Sequence, residues 1–327
     1  MAAPTATLPG RRPVRRPGGP GFVRRLRQNL TVLSFMAPAL VGITVFFVYP
    51  LVSAVYFSFT KFNLLTVPAW VGLDNYKEVL HDTTLRQAAG NTVWLVVIMV
   101  PARIFAAIFS GTLLTKIKRG TGVYRTLFYL PALAPPVAAT LAFVYLFKPG
   151  TGPVNAILGH IGITGPLWFN SPTWSKPSLV LLALWGVGDI TILFLAALLD
   201  VPQMYYEAAD IDGANALQKF RYITLPSISP VITFAAITGV IQTLQYFTQA
   251  AVAASIASGQ ATTGGGISST FGYPQHSTYT YPLWLYVVGF RYNALGYANA
   301  LAVLLFVVAF AVTLLMLRRT FRGEPTR

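Results

Sequence analysis

The sequence predicts an all-α membrane protein of six transmembrane helices, with a polar helical loop between the fourth and the fifth. Three observations carry that expectation. Hydrophobic residues make up 54% of the 327 positions and charged residues only 10%, where an ordinary soluble domain has roughly 25% charged residues; mean hydropathy is +0.59. Six windows are apolar over the roughly 20 residues that a bilayer crossing needs. The basic residues gather at the ends of those windows. Intrinsic disorder is excluded over most of the length, because a disordered chain is poor in apolar residues and rich in charge.

The first window, 30–59, follows a tail containing Arg11, Arg12, Arg15, Arg16, Arg24, Arg25 and Arg27. Ala37-Pro38-Ala39 resembles a small-residue cleavage site, yet few apolar residues precede it and the apolar run continues past it, so the segment reads as a retained anchor. The other windows lie at 91–115, 123–147, 178–200, 226–256 and 297–317. Pro38, Pro50, Pro101, Pro131, Pro135 and Pro136 fall inside windows and predict kinks or broken helices. The chain thus divides into a basic tail over 1–29, a membrane domain over 30–320 and a short tail over 321–327.

Orientation follows from the Lys/Arg bias of the loops. Seventeen basic residues fall on the side of the N-terminus, including Lys116, Lys118, Arg119 and Arg125 in the second loop and Lys219 and Arg221 in the fourth. Six fall on the other side: Lys61, Lys77, Arg86, Lys148, Lys176 and Arg291. Both termini are therefore expected in the cytoplasm, on the inner side of the membrane that the chain crosses. Tyr56, Trp168, Trp174 and Trp284 lie near the outer ends, where they suit either an interfacial belt or simple packing. A net charge of +15 would suggest nucleic acid in a soluble chain. Here the charges flank apolar segments, which points to membrane lipid and not to nucleic acid.

Several chemistries are excluded. There is no Cys, hence no disulfide, no Cys-ligated metal and no thiolate nucleophile. His81, His160 and His276 are too far apart for a local metal motif and read as ordinary loop residues.

The fourth loop, 200–226, is too polar to enter the membrane. Pro202 can open a helix at its first turn, Glu207-Ala208-Ala209 continues it, Gly213 permits a turn, and 214–222 can form a second short helix before Pro226 starts the next span. Glu207 on its own would be a solvated acid near a helix start.

At these residues the chain resembles the permease subunits of binding-protein-dependent ABC importers. Glu207-Ala208-Ala209, then Gly213, then Ile223-x-Leu225-Pro226 meet every fixed position of that family's signature. The fuller run Tyr206-Glu-Ala-Ala-x-Ile-Asp212-Gly213-Ala is most similar to the carbohydrate-uptake branch, related to the maltose and glycerol-phosphate permeases. Weaker matches are Gly72-Leu-Asp-Asn-Tyr76, Asn91-Thr92, Leu130-Pro131 and Thr263-Gly264-Gly265.

The resemblance implies a division of labour. A second, similar permease would complete the path, two cytoplasmic ATPase subunits would hold ATP and magnesium, and an extracytoplasmic binding protein would deliver the carbohydrate. Glu207, Ala208, Ala209, Asp212 and Gly213 would form the coupling helix that docks on an ATPase. The chain has no Gly-x-x-x-x-Gly-Lys-Ser/Thr run, so ATP chemistry is expected elsewhere and no cofactor is expected here. The triple glycine at 264–266 reads as a flexible turn. The first outer loop lacks the large inserted domain of the maltose permease, and the outer loop over 257–296 is longer than the family leads one to expect.

Sugar contacts would come from polar and aromatic groups inside the bundle. Gln242, Gln245 and Tyr246 share one face if the fifth span is an unbroken helix, and serve either the substrate or hydrogen bonds between helices. Arg103 and Asp189 lie near the middle of two spans that both run inward. An unpaired charge at that depth costs roughly 2.5 to 3.5 kcal/mol on insertion scales. The two are expected to pair or share a polar cavity, or else each meets water in the path separately. Two other classes compete: an integral-membrane transferase built on the acidic cluster Glu207, Asp210 and Asp212, and a proton-coupled secondary transporter built on Arg103 and Asp189.

Overall fold

The computed structural model describes residues 22–259 and 270–323. Most of the N-terminal basic tail (1–21), the glycine run at 264–266 and the last four residues lie outside the described residues. The chain forms two compact units, Met1–Ser53 and Ala54–Arg327.

Helix α1 (Phe22–Ile43) contains Pro38 and runs through a widened π turn (Thr44–Val48) into α2 (Tyr49–Ser58), within which the first unit ends at Ser53. The described part of this stretch, Thr31–Ser58, is long and apolar enough to cross a membrane.

In the second unit a two-stranded antiparallel ribbon, β1 (Thr60–Lys61) on β2 (Ala69–Trp70), leads to the short helix α3 (Asp74–His81). The helix α4 (Thr83–Thr115) follows, with 33 residues. At about 1.5 Å per residue it is roughly 50 Å long, well beyond the ~30 Å of hydrocarbon it has to cross. The surplus includes its polar start: the helix begins at Thr83, ahead of the apolar window that opens at 91. Asp82 caps it by accepting from the Leu85 N–H at 2.8 Å.

Next come α5 (Thr121–Tyr129), a 3₁₀ turn (Leu130–Leu133) and α6 (Pro136–Leu146), bent by 94° across Ala134 and Pro135. After α7 (Pro153–His160), α8 (Ser175–Trp185) and α9 (Gly188–Leu199) form a second bent pair, at 51°. The surface helices α10 (Gln203–Ile211) and α11 (Ala216–Lys219) continue through a π turn into α12 (Leu225–Ser227), which meets α13 (Ser229–Leu244) at 66°. The chain then leaves the helix over 245–247 before α14 (Thr248–Ala257). A short α15 (Tyr281–Tyr286) and the long α16 (Leu295–Gly323) complete the described residues. His81 and His160 close α3 and α7 instead of lying in loops, and a helix C-terminus is where a basic ring is favoured.

Packing follows small side chains and apolar stripes. α4 lies along α9 and α13, and α14 lies on α6. One buried cluster, including Leu95, Met99, Phe143, Leu179 and Leu283, joins α4, α6, α8 and α15. A second, of Ala107, Ile108, Val187, Phe194, Ile228 and Ala235, joins α4, α9 and α13. The segment 270–280 is tied down by polar side chains: Asn91 Nδ2 donates to the His276 and Tyr279 carbonyls at 3.0 and 2.9 Å, and Ser175 Oγ lies 2.8 Å from Ser277 Oγ.

Candidate functional site

Two places in the second unit gather the side chains singled out from the sequence. The first is a cavity of about 310 Å³ between α4, α6, α8 and the break after α13. Arg103 enters it from α4, Gln242 from the last turn of α13, and Gln245 and Tyr246 from the irregular backbone at the break. The expectation of one unbroken helical face for Gln242, Gln245 and Tyr246 is therefore corrected. The helix ends at Leu244, and Tyr246 N–H bonds only to the Thr243 carbonyl, at 3.1 Å. The three nevertheless line one space. Neither Gly nor Pro marks this break, so periodicity had nothing to detect.

Arg103 makes two long polar contacts, Nη2 to Asp189 Oδ1 and Nη1 to Gln242 Oε1, both at 3.4 Å. Asp189 is in the first turn of α9, where the helix amides favour an anion. The Arg103 side chain is 15% exposed and that of Asp189 49%. Tyr246 is buried; its hydroxyl and Arg103 Nε have no hydrogen-bond partner among the described residues. Gln242 and Gln245 are exposed to the same space. Trp185, Thr248 and Gln249 also line it and were not anticipated from the sequence. The signal that could have found Trp185 is Trp185-Gly186-Val187-Gly188-Asp189, an aromatic and a charge flanking two glycines inside an apolar window.

Gly188 makes this corner possible. A Cβ built there would run into the Phe128 carbonyl oxygen and lie 2.9 Å from Tyr129 Cα. Only glycine lets the end of α5 press against the start of α9 beside Asp189.

The second place is the surface pair α10 and α11. Pro202 (φ −59°) is the N-cap residue of α10 and not a residue of its first turn. Gly213 takes φ +73°, the left-handed conformation a helix end requires, and its N–H bonds to the Asp210 carbonyl at 3.1 Å. The second helix starts at Ala216, later than the predicted 214, because Asn215 caps it: its Oδ1 accepts from Gln218 N–H at 2.9 Å while Gln218 Oε1 accepts from Asn215 N–H at 2.7 Å. Lys219 pairs with the Asp210 carboxylate and Tyr206 Oη lies 2.8 Å from Thr224 Oγ1, so the two helices are fastened together. Glu207, Ala208, Asp212 and Gly213 are exposed, and Ala209 is half-buried. Between the helices runs a groove of about 490 Å³ lined by Tyr205, Ala208, Ala209, Asp212, Tyr222 and Pro226, among others. Met204, Ile211, Leu217 and Tyr222 are each at least two-thirds exposed, an apolar display of the kind that marks an interaction surface.

Residues 103–322 match the model of the family described as binding-protein-dependent transport system inner membrane component. The probable ABC transporter permease protein YesP of Bacillus subtilis (strain 168) is 35% identical over 295 residues, covering 89% of this chain and 91% of that one. The arabinooligosaccharides transport system permease protein AraP of the same organism is 33% identical over 299 residues, 89% of each chain. A chain in the crystal structure of a bacterial ABC transporter involved in the import of the acidic polysaccharide alginate superposes with a TM-score of 0.72 at 20% identity, over 93% of this chain and 99% of that one, and so shares the fold. These matches favour the permease reading over a membrane transferase or a proton-coupled transporter. The chain belongs to the inner-membrane components of binding-protein-dependent transport systems, as a multi-pass permease of the ABC type.

Proposed function

We propose that this permease forms half of the path by which an ATP-driven importer takes up a sugar or sugar derivative handed over by an extracytoplasmic binding protein. The observation that carries the reading is the cavity: Arg103, held by Asp189 from outside the lining, meets two exposed glutamines inside the bundle, with the buried Tyr246 hydroxyl behind them. Groups of this kind are too costly to face lipid and belong in a water-accessible path. The sugar substrate is supported by the relatives, whose names include arabinooligosaccharides and lactose transport.

In this reading each of the three bent helix pairs is one broken span, which with the three long helices makes six. Both termini are cytoplasmic, and the pair α10–α11 is the coupling element. Its exposed Glu207, Asp212 and apolar side chains suit docking in a groove on an ATPase subunit. ATP and magnesium reside on two such subunits, and a second, similar permease closes the other side of the path. Gentle solubilisation should bring down an ATPase subunit, and uptake should stop when ATP is depleted. Purification of the chain free of any ATPase, with uptake indifferent to ATP, would refute the proposal.

A further inference from the structure

We infer that this half of the path is built for an uncharged, hydroxyl-rich saccharide and against an acidic one. The inference rests on the sugar-permease reading above and narrows it. The fold does not settle the matter, since a chain from an importer of an acidic polysaccharide has the same fold; the side chains must.

Arg103 is the sole Lys, Arg, Asp or Glu among the described residues lining the cavity, and its charge is balanced by Asp189. A guanidinium recognises a carboxylate best through two parallel N–H groups of its fork. Here that fork is already divided, Nη2 toward Asp189 and Nη1 toward Gln242. An incoming carboxylate would have to expel Asp189, which the α9 N-terminus also holds. Otherwise it would lie near the like charge of Asp189, which repels it.

What is exposed to the space suits single hydroxyl groups. The amides of Gln242 and Gln245 each offer a donor and an acceptor, while Arg103 Nε and the Tyr246 hydroxyl are unpaired but buried behind them. Trp185 and Phe247 add flat faces for a sugar ring.

The test uses the complete permease–ATPase complex in lipid nanodiscs without binding protein, probed by saturation-transfer NMR. The probes are D-glucose, D-galactose and maltose against D-glucuronate and D-galacturonate. Neutral sugars should receive saturation, and the uronates about three-fold less or none. Gln245→Leu should lower the neutral signal about five-fold, the loss of one hydrogen bond. Asp189→Asn, which frees the guanidinium fork, should shift the preference toward the uronates. If that variant does not assemble, the wild-type ratio and Gln245→Leu decide. Uronates saturated as strongly as the neutral sugars would overturn the inference while leaving the path reading intact. So would a neutral preference indifferent to Gln245→Leu. No saturation of any sugar would remove the path reading itself.

Discussion

Arg103 Nη2 stands 3.4 Å from Asp189 Oδ1, joining the middle of α4 to the first turn of α9. The distance is longer than the roughly 2.7–2.9 Å of a tight charge-assisted bond, and the carboxylate is half exposed. The contact is thus a loose, partly exposed ion pair, between the weak surface case and the strong buried one. Arg103→Gln and Asp189→Asn should each lower the melting temperature of the solubilised complex. The double substitution should recover part of the loss, with a coupling of about 1 kcal/mol. Strictly additive losses would mean that each residue meets water on its own.

Gly188→Ala tests the close approach of α5 to α9. The new methyl group would meet the Phe128 carbonyl and the Tyr129 backbone, neither of which is the flexible end of a side chain. Overpacking of this kind costs about 1–3 kcal/mol. Gly186→Ala, two residues away, would bring its Cβ only to 4.0 Å from the Ala183 and Leu182 carbonyls and serves as the control. Equal thermal stability of the two variants would show that α5 does not press on α9.

The apolar helices and the contact between Arg103 and Asp189 were legible in the sequence for one reason: in an apolar run a charge or a turn stands out. The features that escaped lack that contrast. The first turns of α4 are polar and lie before the apolar window, so hydropathy placed the start at 91. The break at 245–247 contains Gln-Tyr-Phe, with no Gly or Pro to mark it, and its Tyr246 is buried. The surface pair was legible because its stops are local: Gly213 takes the left-handed turn and Asn215 the cap.

Gly213 offers a second handle on that surface. At φ +73° any side chain is strained, by roughly 1–2 kcal/mol, although no atom would obstruct a Cβ there. Gly213→Pro also deletes the N–H that bonds to Asp210 and should uncouple α10 from α11. Membrane insertion should be normal and recovery of the ATPase in pull-downs reduced, several-fold more for Pro than for Ala. Glu207→Ala should weaken recovery without altering the melting temperature, since Glu207 is exposed. Undiminished ATPase recovery with normal transport in Gly213→Pro would contradict a docking role.

The orientation argued from the basic residues is open to reporter fusions. Fusions near Lys116 and after Arg318 should report cytoplasm, and one near Trp168 the outer side. A cytoplasmic signal at Trp168 would break the six-span count, because the bent pair α5–α6 would then fail to cross.

Asp82 ties three helices at one end of the bundle, a role hidden in the sequence because a lone carboxylate between two helices reads as solvated. Its Oδ1 caps α4 through Leu85 N–H at 2.8 Å, while Oδ2 accepts from Trp284 Nε1 at 2.8 Å and from Tyr297 Oη at 2.9 Å. These two partners are 202 and 215 residues away in sequence. One carboxylate thus fastens α4 to α15 and α16. Asparagine is nearly the same shape but turns one acceptor into a donor. Whichever way the amide is rotated, its NH₂ group faces an N–H or O–H that is itself a donor. Asp82→Asn should therefore destabilise the purified protein by about 1–3 kcal/mol, the penalty of leaving partly buried donors unmatched. Trp284→Phe removes one of those donors, so it should cost less in the Asp82→Asn background than in the wild type. Melting curves of the four proteins measure this directly. Equal costs for Trp284→Phe in both backgrounds would show that the indole and the carboxylate do not act together.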